Sequence, residues 1–436
     1  MIVNPSGFTC YNSAAAPAFQ SPRSTALLRL DIAVKAVGVE LKRKTDVAIV
    51  GGGLSGGLIA LALQRSLPDL EVILIEAGER LGGNHRWSWF ESDLNQDGTA
   101  LMAEFDHEAW QGGYDVRFPA YARSLSSDYR SLGSDEFADV LERRLNQGSI
   151  VTGASVTSVA ANEVRLDSGD MVDAAHVIDC RGITEAPGLN GGWQVFLGQH
   201  WRLDRPHGLT RPIIMDAAVE QLGGYRFVYV LPMGPDQIFI EDTYYQDLPH
   251  LDTETLRQRI ADYVGANHWS GTVVHEETGS LPVVTGGDFA AFQQAHRTVG
   301  VALAGARGGF MHPLTSYTMP IAVQTAIEIA EAFSNGRQSD LSAMLESKAQ
   351  TFWKDTAFYR LLGTMLFGAA DPAERYKVFE HFYRLPDALI ERFYAGRSTS
   401  FDKARILIGK PPVPVTRAVS TLLRDKARPL TQERTS

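Results

Sequence analysis

The sequence predicts an α/β protein: a doubly wound dinucleotide-binding unit assembled from separated segments, an antiparallel β-sheet inserted into it, and a helical cap at the C-terminal end. Three observations predict this. The stretch DVAIVGGGLSGGLIALALQRS, Asp46 to Ser66, joins a short apolar run to a helical one through clustered glycines. Four stretches between Trp193 and Tyr245 are rich in aromatics, alternate in polarity and are broken by Pro and Gly. From Phe352 onward the apolar residues recur at helical spacing.

In the first segment, Asp46 to Val50 reads as a buried strand, and Gly51, Gly53 and Gly56 form G-x-G-x-x-G before a helix that runs through Leu58 to Leu67. Each glycine has a task. Gly51 makes the turn, Gly53 lets the backbone approach a pyrophosphate, and Gly56 lets helix and strand pack closely. The helix N-terminus, at Leu54 and Ser55, then faces the negative charge. The next strand, EVILIEA (Glu71 to Ala77), ends in Glu76, placed to accept hydrogen bonds from a ribose 2′-hydroxyl, so FAD or NAD fits and NADP does not. A membrane span over Val47 to Leu63 is disfavoured by the glycines in its middle.

Three further segments favour FAD. GERLGGNHRWSWF (Gly78 to Phe90) places Gly82 and Gly83 after the acidic strand end, where flavoproteins pass near the flavin. HVIDCRG (His176 to Gly182) resembles the strand that returns to the nucleotide domain in FAD enzymes of the glutathione-reductase type. In Thr298 to Phe333, a strand at Val299 to Ala304 leads through a glycine turn holding Arg307 to a helix from about Pro320. The backbone at Tyr317, Thr318 and Met319 then points a positive helix end at the flavin N1 and O2 edge. The first domain is thus a Rossmann-type FAD-binding fold.

The middle stretches WQVFLGQHWRL, GLTRPIIMDA, YRFVYVLPM and QIFIEDTYY read as successive strands of a substrate-side sheet. With period two, Phe239, Glu241, Thr243 and Tyr245 share one face of the last strand, and Ile238, Ile240, Asp242 and Tyr244 the other. A carboxyl among rings has its charged form disfavoured and can hold a proton near neutrality, as a general acid must. The pattern alone leaves open a solvated carboxylate or one paired with arginine. The aromatic C-terminal helices fit a cap over an apolar tunnel, a membrane-facing surface, or plain core.

At 436 residues and 44% apolar the chain can bury at least one large core and by length divides into two or three domains, and its formal charge of −10 argues against a nucleic-acid partner. Cys10 and Cys180 make no disulfide framework and no metal spacing, so no metal is expected and a reducing, intracellular setting fits best. Residues 1–44, with early Ser, Ala and Pro and then LKRK, read as an unstructured extension outside the fold, as a transit-like peptide or as translated upstream sequence. The expected division is 45–125, 130–190 and 295–340 for the FAD-binding domain, 191–294 for the substrate sheet, and 341–425 for the helical region.

The segments GGNHRWSW, FIEDTYYQD, GARGGFMHPLTSYTMP, FYAGR and ILIGKPPVPV, in that order, resemble the bacterial lycopene beta-cyclases, a family of FAD-dependent carotenoid cyclases; the likeness runs from about Thr45 to about Val419. The resemblance implies closure of the linear ends of lycopene into β-rings, through γ-carotene to β-carotene, with no net redox change. It implies reduced FAD, with NADPH as the electron source. The implied chemistry is protonation at C2, attack of the C5=C6 double bond on the cation, and loss of a proton from C6, with the reduced flavin stabilising the cation. By motif the acid falls on Glu241. Trp87, Trp89, Phe239, Tyr245 and His312 are implied on the substrate side, with Tyr244 as a further ring near the cation. A water-insoluble carotenoid substrate implies a cytoplasmic enzyme held peripherally at the inner face of the membrane, beside other enzymes of carotenoid synthesis. Two departures stand out: Ser316 replaces a glycine of the family at a turn suited to positive φ, and the N-terminal extension has no counterpart. Other readings of the same fold are a flavin monooxygenase or prenyl reductase, which consumes NADPH in proportion to product, and a prenyl-lipid carrier of the Rab escort type, which needs no flavin.

Overall fold

The computed structural model describes residues 42–183, 185–408 and 428–430. The expectations for residues 1–41 and for most of ILIGKPPVPV lie outside these.

The first strand, Lys42–Val50, runs parallel to Val72–Ile75 on one side and to Met171–Asp179 on the other, with Val47 opposite Val72 and His176. It starts at Lys42, three residues inside the stretch expected to be extension, because Lys42 to Lys44 extend the ladder against Met171 to Asp173. Ile150–Val151 and Ala302–Leu303 add further parallel pairings, and a hairpin of Val156–Ala160 and Glu163–Leu166 completes a seven-stranded sheet. Ala302–Leu303 is shorter than the strand expected from Val299, because Val299 is 83% exposed and outside the ladder. One face is covered by the helices Leu54–Ser66 and Met319–Ser334, which bury Leu58, Ile59, Ala326 and Ile329 together. The opposite face, with Ala48, Val50, Ile73 and Ile75, packs on Val164 and Leu166. Burial on both faces explains the near-continuous apolar strands.

The second sheet also has seven strands, in the order Gly271–Gly287, Leu189–Leu203, Gln237–Gln246, Tyr225–Pro232, Ile213–Asp216, Tyr114–Phe118 and Tyr121–Leu125. The four strands expected between Trp193 and Tyr245 are all present. The hairpin 114–125, expected in the FAD-binding domain, belongs here instead. Its alternation buries Tyr114, Val116 and Phe118, and Asp115 to Arg117 pair in parallel with Ile213 to Asp216. One face of this sheet is covered by the helix Thr253–Ala266 through Leu256 and Ile260. The other meets the C-terminal helices, where Tyr359, Phe379, Phe382 and Phe393 join Tyr225, Phe227 and Phe239 in an aromatic core. These rings are interior packing, with large apolar burial and offset ring contacts such as Tyr225 on Phe379 at 4.3 Å. No helix among the described residues is long and apolar enough to cross a membrane.

Arg86–Phe90, Tyr129–Gly133 and Glu108–Trp110 form a small antiparallel sheet. Arg86–Phe90 follows directly on the loop after the second nucleotide strand.

Candidate active site

At the end of the first strand Gly51 turns the chain with φ +101°, and a Cβ there would lie 2.9 Å from Arg181 N. Gly56 stands behind the turn: a Cβ would sit 1.9 Å from Gly51 O, so this glycine sets the helix-to-strand distance without lining a cavity. Gly53 is open, with nothing within 4 Å of a Cβ, and it borders a cavity of about 460 Å³. Gly51, Leu54, Ser55 and Glu76 border the same cavity, as do Gly82, Gly83 and Thr318. The Glu76 carboxylate is fixed by Gly52 N, donating at 2.7 Å, and Gly78 N, at 2.8 Å.

The cavity fits a dinucleotide with a flavin. Two helices start at it, at Leu54 and Met319, and no side chain caps either N-terminus, so their unpaired amides are available to an anion. Ser55 Oγ is buried beside the Cys180 thiol and has no other hydrogen-bond partner among the described residues. On the returning strand, Asp179 is 1% exposed and holds Arg181 at 2.7 Å and Arg307 at 3.6 Å, and Cys180, Arg181 and Gly182 line the wall.

Besides Gly56, three residues expected at the cofactor keep their side chains off the cavity wall. Arg307 turns back to Asp179 and donates to Gly182 O at 3.2 Å. Tyr317 donates through its hydroxyl to Asp93 Oδ2 at 2.5 Å, and Met319 is 1% exposed in the first core. Gly305 and Ala306 take their place, together with His85, Ala154 and Val156, which sequence reasoning did not single out.

The loop Gly82 to Asn84 and the strand after it connect cavity and sheet. Arg86–Phe90 alternates, with Trp87 and Trp89 on the nucleotide side and Arg86, Ser88 and Phe90 toward the second sheet. Trp87 therefore lines the nucleotide cavity. Trp89 is 2% exposed in the first core against His107, so neither indole lies on the Glu241 face, contrary to the expectation that both line the substrate side.

On that face the register places residues in transverse rows. Tyr229, Glu241, Gly198 and Glu277 stand side by side on four adjacent strands, flanked by a row of Leu231, Phe239, His200 and His275 and a row of Phe227, Thr243, Phe196 and Gly279. Burial among these rings pushes the Glu241 carboxyl up to about 7, against the Thr243 hydroxyl, which donates to Oε1 at 2.5 Å. Among the described residues no arginine pairs with the half-buried Glu241, whereas Asp242 on the opposite face pairs with Arg226 at 2.8 Å. Phe239 and Tyr245 share the Glu241 face as expected, Tyr245 being locked by Phe379 and by its bond to Leu314 O at 3.3 Å. Tyr244 faces away and donates to Asp242. His312 lies elsewhere, 4% exposed against Tyr359 at 4.5 Å, its Nδ1 accepting from Leu314 N, so it orders a turn and does not line this face.

Glu277 was not anticipated. Its residue sits in HEETGS, whose polar character conceals a strand; the signal available was alternation with Glu276, which faces out to Arg257 at 2.6 Å.

The two-sheet architecture and cavity define a protein of the FAD-binding Rossmann class. A geranylgeranyl bacteriochlorophyll reductase-like protein from Thermoplasma acidophilum matches with a TM-score of 0.56 at 13% identity, over 88% of this chain and 99% of that one. A flavin-dependent brominase matches with a TM-score of 0.57 at 15% identity, over 84% and 97%. The chain belongs to the lycopene cyclase protein family, whose model matches residues 46–420. It is 45% identical over 374 residues to the lycopene beta-cyclase of Pseudescherichia vulneris, covering 86% of this chain and 96% of that one. It is 42% identical over 379 residues to that of Pantoea ananas, covering 87% and 98%. The chloroplastic lycopene beta cyclase of Arabidopsis thaliana is 25% identical over 75% of this chain and 68% of that one.

Proposed function

We propose that this chain closes the linear ends of lycopene into β-rings, yielding β-carotene by way of γ-carotene without net redox change, with Glu241 as the acid that protonates C2. The observation that carries this reading is a carboxyl set among aromatic rings on the substrate-side sheet, pushed up to about 7 and in no ion pair among the described residues. The relatives' names supply the substrate.

Thr243 fixes the rotamer of the acid through its hydroxyl, and the surrounding rings exclude water that would otherwise quench a carbocation. The Phe239 face beside Glu241 offers π-electron density to the positive charge. Gly51, Gly53, Ser55 and Glu76 would hold FAD, and Gly82 and Gly83 would lie along it. In its reduced form, with NADPH as electron source, the flavin supplies negative charge that stabilises a nearby cation. Withdrawal of a carotenoid from a bilayer requires peripheral contact with the membrane.

The test is pigment analysis of a lycopene-accumulating bacterium expressing the chain. A β-carotene peak that disappears with Glu241→Gln, while FAD stays bound, supports the reading. Oxidation of NADPH in proportion to product would instead point to a reductase or monooxygenase.

A further inference from the structure

Glu277 is 4% exposed and makes no hydrogen bond and no ion pair with any described residue. A carboxyl on a largely buried sheet face with no partner of its own calls for an explanation. Its strand pairs with Leu189–Leu203 so that Glu277 lies opposite Gly198, and on the other side of Gly198 lies Glu241. The two α-carbons are therefore two strand spacings apart, roughly 9–10 Å, with both side chains on the same face. Gly198 has no side chain to fill the gap; the Phe239 ring occupies it, 2.4 Å from where a Cβ would stand, and Glu277 Cγ lies 3.2 Å from that point. Two carboxyls thus flank an aromatic floor.

We propose that Glu277 is a second catalytic carboxyl, the base that takes the proton leaving C6 while Glu241 supplies the proton that enters at C2. The proposal rests on the cyclase reading. The O–H bond of Glu241 breaks as the C1=C2 electrons form the new C2–H bond. The C5=C6 electrons then form the C1–C6 bond and leave the cation at C5. The C6–H bond breaks toward the Glu277 carboxylate, its electrons restoring C5=C6. The pair ends with the single proton it began with, now on Glu277, and passing it to Glu241 resets the site for the next end group.

The surroundings suit a pair that shares one proton. Burial and the charge of Glu241 push Glu277 up to about 8, while Arg86, on the small sheet above, opposes this. Arg86, whose guanidinium lies 6.0 Å from the Phe239 ring, opposes the rise but leaves Glu277 above Glu241, so the reactive arrangement, with the proton on Glu241 and the charge on Glu277, is the less populated of the two singly protonated forms. In the next row His200 is held neutral, pushed down to about 3 by burial and by Arg86, and His275 is bonded to Asn84. Glu276 faces outward to Arg257 and Gln199, and Asp242 faces away to Arg226.

The test uses the full-length, FAD-loaded, reduced protein with lycopene in phospholipid vesicles, assayed from pH 6 to 9. The wild type should show a bell: activity falls on the acid side as the base is protonated and on the alkaline side as the acid ionises, with limbs near the two values above. Glu277→Gln should lower kcat by about a hundred-fold or more with KM within about threefold, keep its FAD, and lose the acid limb in its residual rate. Its residual product should include rings whose double bond lies away from C5=C6, because the C5 cation then loses another neighbouring proton. A Glu277→Gln variant with kcat within about threefold of wild type, or with the acid limb intact, overturns the proposal. If that variant fails to fold, a wild-type profile without an acid limb overturns it equally. A wild type that leaves lycopene unchanged overturns the cyclase reading, and this proposal with it.

Discussion

His275 Nε2 donates to Asn84 Oδ1 at 2.7 Å, and Asn84 Nδ2 donates to the Glu276 carbonyl at 3.0 Å, so one side chain of the nucleotide loop is tied at both ends to the strand that carries Glu277. This contact fixes the distance between the flavin loop and the carboxyl row. Each bond contributes about 1 kcal/mol. Asn84→Ala should therefore lower kcat by about tenfold while the flavin dissociation constant changes less than threefold. Steady-state kinetics beside a flavin titration would check this; equal losses in both would mean that Asn84 merely supports the loop.

Ser316 adopts φ +56°, in the left-handed region that favours glycine. That conformation costs a residue with a Cβ about 1–2 kcal/mol. Its hydroxyl offsets part of the cost by donating to Pro282 O at 2.7 Å, a bond glycine lacks. Ser316→Gly should consequently leave thermal stability within about 1 kcal/mol of wild type, whereas Ser316→Ala, keeping the strain and losing the bond, should lose about 1–2 kcal/mol. If the alanine variant were as stable as the glycine one, the hydroxyl would contribute nothing.

The elements legible in the sequence were those whose cause is local. The glycine turn is dictated by Gly51 and Gly56, whose neighbours leave no space for a Cβ, and the Glu241 face follows from strand alternation. What escaped notice depends on register between distant segments. The hairpin 114–125 joins the second sheet only because Ile213 pairs with Asp115, nearly a hundred residues on, and Glu277 becomes a neighbour of Glu241 only through Gly198. RWSWF alternates plainly, yet nothing local says which side of that strand meets which sheet, so the side taken by Trp87 and Trp89 is not legible in the sequence.

Glu76 holds two backbone amides at the strand end that borders the cavity, and charge-assisted bonds of this kind are stronger than neutral ones. Removing the carboxylate frees the Gly52 and Gly78 amides and loosens the turn. Glu76→Ala should weaken FAD binding by about 10- to 100-fold, read by flavin fluorescence on titration. Unchanged affinity would show that the glycine turn alone holds the cofactor.

Gly198 keeps the space between the two carboxyls. In Gly198→Ala the new methyl meets Phe239 Cζ at 2.4 Å, so the ring must leave its place between Glu241 and Glu277. Cyclisation should fall at least about tenfold with FAD content unchanged, since the cavity lies on the other sheet. Full activity in this variant would mean that the placement of the Phe239 ring is immaterial.

The carboxyl row also leaves a signature in stability against pH. Glu241 and Glu277 have an ordinary value of 4.5 and are pushed up to about 7 and about 8 in the folded chain, mainly by burial. Both are raised, so between pH 4.5 and about 8 the folded state binds protons that the unfolded state has released, and stability falls as pH rises. Below that window both states are protonated and the contribution is complete; above it the folded state must carry buried charge. Glutamine, neutral at every pH, removes that cost. Glu241→Gln and Glu277→Gln should each raise the unfolding free energy at pH 8.5 by on the order of 1–3 kcal/mol relative to wild type, and by much less at pH 5. Denaturant titrations at the two pH values would read the difference directly. A gain that is the same at both would place the carboxyls in water instead of in the aromatic face, and would remove the physical basis for their holding a proton at neutral pH.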